Sequence, residues 1–413
     1  MVVVGTRPEA IKLAPFVIAL GGSEDFEPVV VATGQHRAIL DQALELFDIS
    51  PEFDLHVMTA RQTLSDATAR ILSAMDGAMD AVRPDAVVVQ GDTTTSMAAA
   101  LSAFYRQVPV IHLEAGLRTG SRHSPFPEEI NRRIITQLAS QHLAPTANAR
   151  ENLLAEGVDP SAVVVTGNTV IDALRLTLSR KQPFGIEALK SLDADSRRVL
   201  LVTVHRRESW GPPLAAIAQA MAHLAMAEPD VLIVVPVHPN PVVGEILKPA
   251  LQGLANVALI EPVPYGAFVH LMARASVIIT DSGGLQEEGP ALGKPVLVMR
   301  DFTERHEAVA AGAAWLVGTE PRTIIRAAQT LLHDDEVYRR MASAGNPFGD
   351  GNAAVRCLQA LENLFGLGPP PADFSGLEHP PRVAKTGQGP CPTLTRRPAM
   401  PTVSPLVRSP VVT

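Results

Sequence analysis

The chain is 413 residues long, with 46% hydrophobic residues, 19% charged residues, few aromatics and a formal net charge of −8. That length accommodates two domains with a core each, and the composition is that of a packed α/β protein, not of a fibrous or disordered chain. The negative balance excludes the global basic footprint of a nucleic-acid binder, so any anionic ligand has to be held by local positive groups. Only Cys357 and Cys391 occur, with no CxxC and no His/Cys cluster at zinc spacing, which argues against a disulfide scaffold and a structural metal. The opening "MVVVGTRPEA" lacks the features of a secretory leader and no apolar run reaches the length of a membrane span; a cytoplasmic chain with no membrane partner is expected.

Taken in chain order, short β-branched runs alternate with helical patterns: "MVVVG", "EPVVVATG", "DAVVVQGD" and "VPVIHLEAG", then "RRVLLVTVH", "VLIVVPVHP", "NVALIEP", "SVIITDSGG" and "PVLVM". Runs this apolar suit strands buried on both faces, and their alternation with helices predicts parallel sheets wound in βαβ units. The fold class expected is α/β, with two doubly wound Rossmann-like domains facing a central cleft. The first covers residues 1–169 and the second 170–351, the polar stretch 170–197 carrying the chain between them. A last helix, 352–366, is expected to pack back on the first domain. From 367 to 413 the chain is proline-rich, with eleven of the 35 prolines, and is expected to be disordered.

Parallel sheets bind ligands beyond the carboxyl ends of their strands, where loops and helix N-termini converge. The residues following the first set of strands are Gly5-Thr6-Arg7, Gly34-Gln35-His36, Gly91-Asp92-Thr93 and Glu114-Ala115-Gly116. The second set yields His205-Arg206-Arg207-Glu208, His238-Pro239-Asn240 and Asp281-Ser282-Gly283-Gly284. Asp92 either caps the helix that follows it or faces the cleft. Arg7 and Lys12, around a Pro8 suited to the first turn of a helix, either offset the charge of a departing diphosphate, or Arg7 pairs with a neighbouring carboxylate and Lys12 is solvated.

In "TDSGGLQEEGP", Ser282, Gly283 and Gly284 offer a hydroxyl and amides to phosphate oxygens at a helix start. Glu288, a turn further in, can accept hydrogen bonds from a sugar diol. A nucleoside diphosphate carries both features, while spacing alone does not decide between Glu287 and Glu288. A Walker loop, a GxGxxG fingerprint, a GxSxG elbow and a DxD pair are all absent.

"GTRPEAIKLAP", "GQHRAILDQALELF", "QGDTTTSMAAALSAFY", "HLEAGLRTG", "PFPEEINRR", "TGNTVIDAL", "TVHRRES", "PVHPNP", "DSGGLQEEGPALGKPVLVMRDFTERHEA", "LVGT" and "NPFGDG" follow one another in order. Over residues 1 to about 366 the chain thereby resembles the non-hydrolysing UDP-N-acetylglucosamine 2-epimerases of bacteria. The resemblance implies a GT-B-like arrangement, usually in a homodimer, acting without NAD or another cofactor. It implies interconversion of UDP-N-acetylglucosamine and UDP-N-acetylmannosamine, through loss of UDP to 2-acetamidoglucal and its return, for bacterial surface polysaccharide. Carried over residue by residue, Asp92, Glu114, Glu128 and His205 match the catalytic positions, without fixing which carboxylate takes the C2 proton. Arg7, Lys12 and Arg132 match substrate-contacting positions. Phe268 matches a position by the uracil, Ser282, Gly283 and Gly284 the phosphate loop, Glu288 the ribose ligand and Arg305 a further UDP contact.

Val263 stands where some relatives carry a glutamine that reaches the uracil. Gln35 and His36 match a segment that binds a second, activating substrate molecule, or else serve only their loop. Two rival readings share the scaffold: a retaining glycosyltransferase, because fold does not fix function, and a nucleotide-sugar sensor without turnover.

Overall fold

The computed structural model describes residues 1–34, 37–57, 59, 62–180, 192, 195–206 and 209–376. The first seven strands are β1 (Val2–Val4), β2 (Val30–Ala32), β3 (Phe53–Asp54), β4 (Val87–Gln90), β5 (Val110–Leu113), β6 (Gln141–Ala144) and β7 (Val163–Val165). They form one parallel sheet in the order β3-β2-β1-β4-β5-β6-β7. The second sheet contains β8 (Arg198–Thr203), β9 (Val231–Pro236), β10 (Val257–Ile260), β11 (Val277–Thr280), β12 (Val296–Val298) and β13 (Ala314–Leu316). Its order is β10-β9-β8-β11-β12-β13, again all parallel. Both are doubly wound α/β sheets, so each has a switch point where strand order reverses: between β1 and β4, and between β8 and β11.

Two apolar clusters lie against each sheet. Val2, Val4, Val88 and Ile111 face one side of the first sheet and Val3, Val31, Val87 and Val89 the other. Leu200, Val202, Ile233 and Ile279 against Val199, Leu201, Val234 and Ile278 do the same in the second. Consecutive residues thus point into opposite layers, which is why these strands read as unbroken apolar runs.

β6 departs from that pattern. Gln141 and His142 are buried in it, and His142 sits beside His112 of β5 in register, with ring centroids 6.5 Å apart. His112 Nε2 meets the Gly91 carbonyl at 2.7 Å, and Nδ1 of each ring has no hydrogen-bond partner among the described residues. Burial pushes His112 down to about 3, and burial together with the Arg118 charge pushes His142 to about 4.

The folded pKa values lie below the usual 6.5, so the stability these rings support is complete above that pH. It is lost as pH falls, because only the unfolded chain takes up the protons. Each ring steepens the loss by about 1.4 kcal/mol per pH unit. Urea midpoints measured from pH 7 to pH 4.5 should fall steeply, and His142→Asn should roughly halve that slope; an unchanged slope would show that other groups cause it.

The helix Thr169–Ser179 packs on the helices Arg7–Gly21, Tyr265–Arg274 and Leu285–Ala291, so it touches both lobes. The last helix, Ala353–Leu364, rests on Arg7–Gly21 and Thr169–Ser179, and buries Cys357, Ala360 and Leu361 in the first core. Its own N-cap residue, Asn352, makes no side-chain cap; Asp172 supplies one instead, accepting from the amides of Ala353 at 3.2 Å and Ala354 at 2.9 Å.

The expectation of a disordered tail from 367 onward is corrected over its first ten residues. Asp373 accepts from the Val165 amide at 2.8 Å and the Phe374 amide donates to the Val165 carbonyl at 2.6 Å. Phe374 is buried, under the Arg356 guanidinium at 5.3 Å, and Arg150 pairs with Asp373 at 2.6 Å. One aromatic and two strand-like bonds outweigh the local proline content. Residues 377–413 lie outside the described residues.

Candidate active site

The first helix begins where β1 ends. Thr6 caps it and Glu9 closes a capping box. Glu9 is buried and does more than cap. One oxygen accepts from the amides of Gly5 at 2.9 Å and Thr6 at 2.6 Å, the other from the hydroxyls of Thr93 at 2.6 Å and Ser96 at 2.8 Å. It thereby ties together the starts of the helices after β1 and β4, the two sides of the switch point. Burial raises its pKa, against the pull of those hydrogen bonds. Gly5 lets the segments meet: a Cβ there would lie 2.4 Å from Thr95 Oγ1.

Arg7 is exposed at the mouth of the cleft and Lys12 lies deeper. Lys12 Nζ sits 2.6 Å from both oxygens of Glu114. Glu114 directly follows β5 with φ of +61°, a left-handed conformation that costs a residue bearing a Cβ roughly 1–2 kcal/mol. Gln90 and Asn168 also donate to its carboxylate. Burial alone would raise the Glu114 pKa, but Lys12 and then Arg305 outweigh it and hold the group below the usual carboxylate range.

Asp92 pairs with Arg132 at 2.5 Å, and its carbonyl accepts from Asn131 at 2.9 Å. The helix after β4 is capped by Thr93, so capping does not account for Asp92. Glu128 opens the helix Glu128–Leu138; its Oε2 is enclosed and has no hydrogen-bond partner among the described residues.

In the second lobe, His205 Nδ1 stands 3.0 Å from Asp281 Oδ1, and Asp281, wholly buried, also accepts from the amides of His205 and Arg206 and from Ser209 Oγ. The His238 ring stacks beside His205 at 6.4 Å. In the turn after β11, the Ser282 amide is taken by Thr280 Oγ1 at 2.9 Å. The Gly283 and Gly284 amides donate to no group among the described residues, which leaves them available to an incoming acceptor.

The adjacent glutamates have different partners. Glu287 accepts from Arg305 at 2.8 Å and Asn168 at 2.6 Å. Glu288 accepts from the Tyr265 hydroxyl at 2.7 Å, and burial raises its pKa to about 7. Arg305 lies 3.3 Å from Glu304 and 3.9 Å from Glu114. Glu304, also touched by Arg206 and Arg300, is drawn down to about 2 by Arg305 and Arg300 despite its burial. Phe268, on the helix Tyr265–Arg274, leans on the second core, and Val263 is buried in that core, its side chain offering no hydrogen bond.

A cavity of about 380 Å³ between the lobes is lined by Arg7, Gln42, Glu45, Leu46, Pro264 and Tyr265. A larger concavity of about 570 Å³, by His223, Arg322 and Arg326, holds none of these groups. Among the described residues no group of three or more His, Cys, Asp or Glu side chains is placed to hold a metal, and no helix is long and apolar enough to cross a membrane.

Residues 18–362 match the family model described as UDP-N-acetylglucosamine 2-epimerase. The chain is 50% identical to the UDP-N-acetylglucosamine 2-epimerase of Salmonella typhimurium strain LT2, over 88% of this chain and 98% of that one. It superimposes with a TM-score of 0.82 and 44% identity on the enzyme of that name from Neisseria meningitidis bound to UDP-GlcNAc, covering 88% of this chain and 99% of that one. A UDP-bound structure from S. aureus gives a TM-score of 0.83 at 42% identity, covering 91% and 99%.

The chain belongs to the UDP-N-acetylglucosamine 2-epimerase family.

In this epimerase-family chain, side chains from both sheets meet in one ionic seam: Lys12, Glu114, Asn168, Glu287, Arg305, Glu304 and Arg206 follow one another at bonding distance. Asp92 and Arg132 pair within the first lobe, and Glu128 Oε2 has no hydrogen-bond partner among the described residues. Gln35 and His36 lie outside the described residues. Sequence reasoning assigned no role to Gln90, Asn168, Tyr265, Asp281 or Glu304. Asp281 stood in view at a strand end, and Asn168 follows β7, whose run "AVVVTGN" carried the same signal.

Proposed function

We propose that this chain interconverts UDP-N-acetylglucosamine and UDP-N-acetylmannosamine by eliminating UDP from C1 together with the C2 proton and then adding both back. A carboxylate takes the C2 proton, the C–H pair becomes the C1–C2 double bond of 2-acetamidoglucal, and the C1–O pair leaves on the UDP phosphate. UDP then adds back to C1 as a proton returns to the other face of C2. The observation that supports this reading is the seam joining Lys12 and Glu114 of one lobe to Glu287 and Arg305 beside the Gly283–Gly284 turn of the other.

In this scheme Asp92, Glu114, Glu128 and His205 handle protons, Arg7, Lys12 and Arg132 face the departing diphosphate, and the Ser282–Gly284 turn receives its oxygens. Glu288 takes the ribose diol, Phe268 flanks the uracil and Arg305 supports the phosphate turn. Positive groups and free amides aimed at the leaving group are where charge develops. The same proposal includes a homodimeric, cytoplasmic enzyme whose product supplies bacterial surface polysaccharide, on the strength of the family resemblance.

Incubation with either UDP-sugar in deuterated water should place deuterium at C2 of both sugars, read by proton NMR. Turnover without C2 deuterium would favour a transferase. Asp92→Asn should reduce kcat by about 10³-fold while UDP still binds in calorimetry; full turnover would remove Asp92 from the scheme.

A further inference from the structure

We propose that Asn168 is a positioning residue for Glu114: its side-chain amide holds that carboxylate and Glu287 of the opposite lobe on either side of one neutral donor. This rests on the reading of Glu114 as a proton-handling group.

Asn168 is 3% exposed and its backbone N–H donates to the Phe348 carbonyl at 2.6 Å. The side-chain oxygen accepts from the Val170 amide at 3.2 Å, capping the helix Thr169–Ser179. That bond fixes which way the amide points, so the NH2 group faces the seam. Its nitrogen lies 3.1 Å from Glu114 Oε1 and 2.6 Å from Glu287 Oε2. Both hydrogens are thereby used.

The groups facing Glu114 are Lys12 from the first helix, Gln90 from β4, Asn168, and Arg305 and Glu287 from the second lobe. Lys12 touches Glu114 and Arg305 bonds to Glu287. Asn168 alone of these donates a hydrogen bond to both carboxylates. It separates two like charges that would otherwise repel across a water-poor seam, and it fixes the Glu114 oxygen nearest the second lobe. Proton transfer at a ring carbon tolerates little displacement of the group that performs it.

Asn168→Ser and Asn168→Asp both retain an oxygen able to cap the helix, and a melting curve recorded for each separates loss of fold from loss of turnover. Serine removes the donor shared by the two carboxylates; aspartate puts a third anion in its place. Asn168→Ser should lower kcat on the order of 10²-fold with the melting temperature little changed. Asn168→Asp should lower kcat further and move the acid limb of kcat/KM to higher pH, because a like charge opposes ionisation of Glu114.

Glu114→Gln is measured alongside. If it abolishes turnover while both Asn168 variants keep the parent kcat and pH profile, the positioning role is overturned and the reading of Glu114 stands. If Glu114→Gln keeps full turnover, that reading falls and the proposal with it.

Discussion

Asp281→Asn is expected to lower kcat by about 10³-fold, somewhat less than the 10⁴-fold loss seen when a buried aspartate behind a catalytic histidine is replaced by asparagine. Asp281 accepts from His205 Nδ1, from two backbone amides and from Ser209 Oγ, with no solvent exposure. A carboxylate can only accept, so Nδ1 of His205 carries its proton and Nε2 is left as the ring's acceptor. An asparagine that keeps its oxygen on the backbone amides turns its NH2 toward Nδ1 and favours the opposite tautomer. The loss is tempered because the amide of His205 stays anchored and the His238 ring remains beside it.

Steady-state rates together with calorimetric UDP affinity provide the check. Retention of the parent kcat would show that the tautomer of His205 is immaterial to turnover. Loss of UDP binding would instead assign Asp281 to holding the Ser282–Gly284 turn.

Glu9→Ala is expected to cost about 3–5 kcal/mol of folding stability, the range for breaking a buried network and leaving its donors unsatisfied. Four donors converge on this one side chain, two from the Gly5-Thr6 backbone and two from Thr93 and Ser96. Ser96 retains a second acceptor in the Gln90 carbonyl at 2.6 Å, so not every bond is left without an alternative. Glu9→Gln keeps one acceptor oxygen and should cost less. Urea unfolding of the three proteins measures both, and a loss below about 1 kcal/mol for the alanine variant, within the worth of one ordinary hydrogen bond, would mean that water replaces the carboxylate.

The strands that sequence made plain are those whose neighbouring layers are both apolar. Val2–Val4, Val87–Gln90, Arg198–Thr203 and Val277–Thr280 are of this kind. β6 was hidden because Gln141 and His142 are buried as polar residues, Gln141 bonding to the Ala162 carbonyl at 3.2 Å. β3 has two residues and no periodicity to detect.

At the site, strand ends pointed to Arg7, Asp92, Glu114, His205 and the Ser282–Gly284 turn, because a parallel sheet delivers its loops to one edge. Partnership was not legible. Glu287 and Glu288 are neighbours in sequence, yet one turns to Arg305 and Asn168 and the other to Tyr265, a choice set by chain segments far from both. Asp92 reads from sequence as a candidate helix cap, a role that Thr93 fills in the structure.

The attachment of Asp373 and Phe374 to Val165 bears on how copies of the chain avoid one another. β7 is the outermost strand of the first sheet, and an outermost strand offers unpaired backbone groups as a template for other chains. Here two of those groups are already taken by the same polypeptide, with Arg150 and Arg356 setting charge over the join. A shortened version ending at Ala372 would uncover that border and invite edge-to-edge association, whereas one ending at Gly376 would keep its own seal.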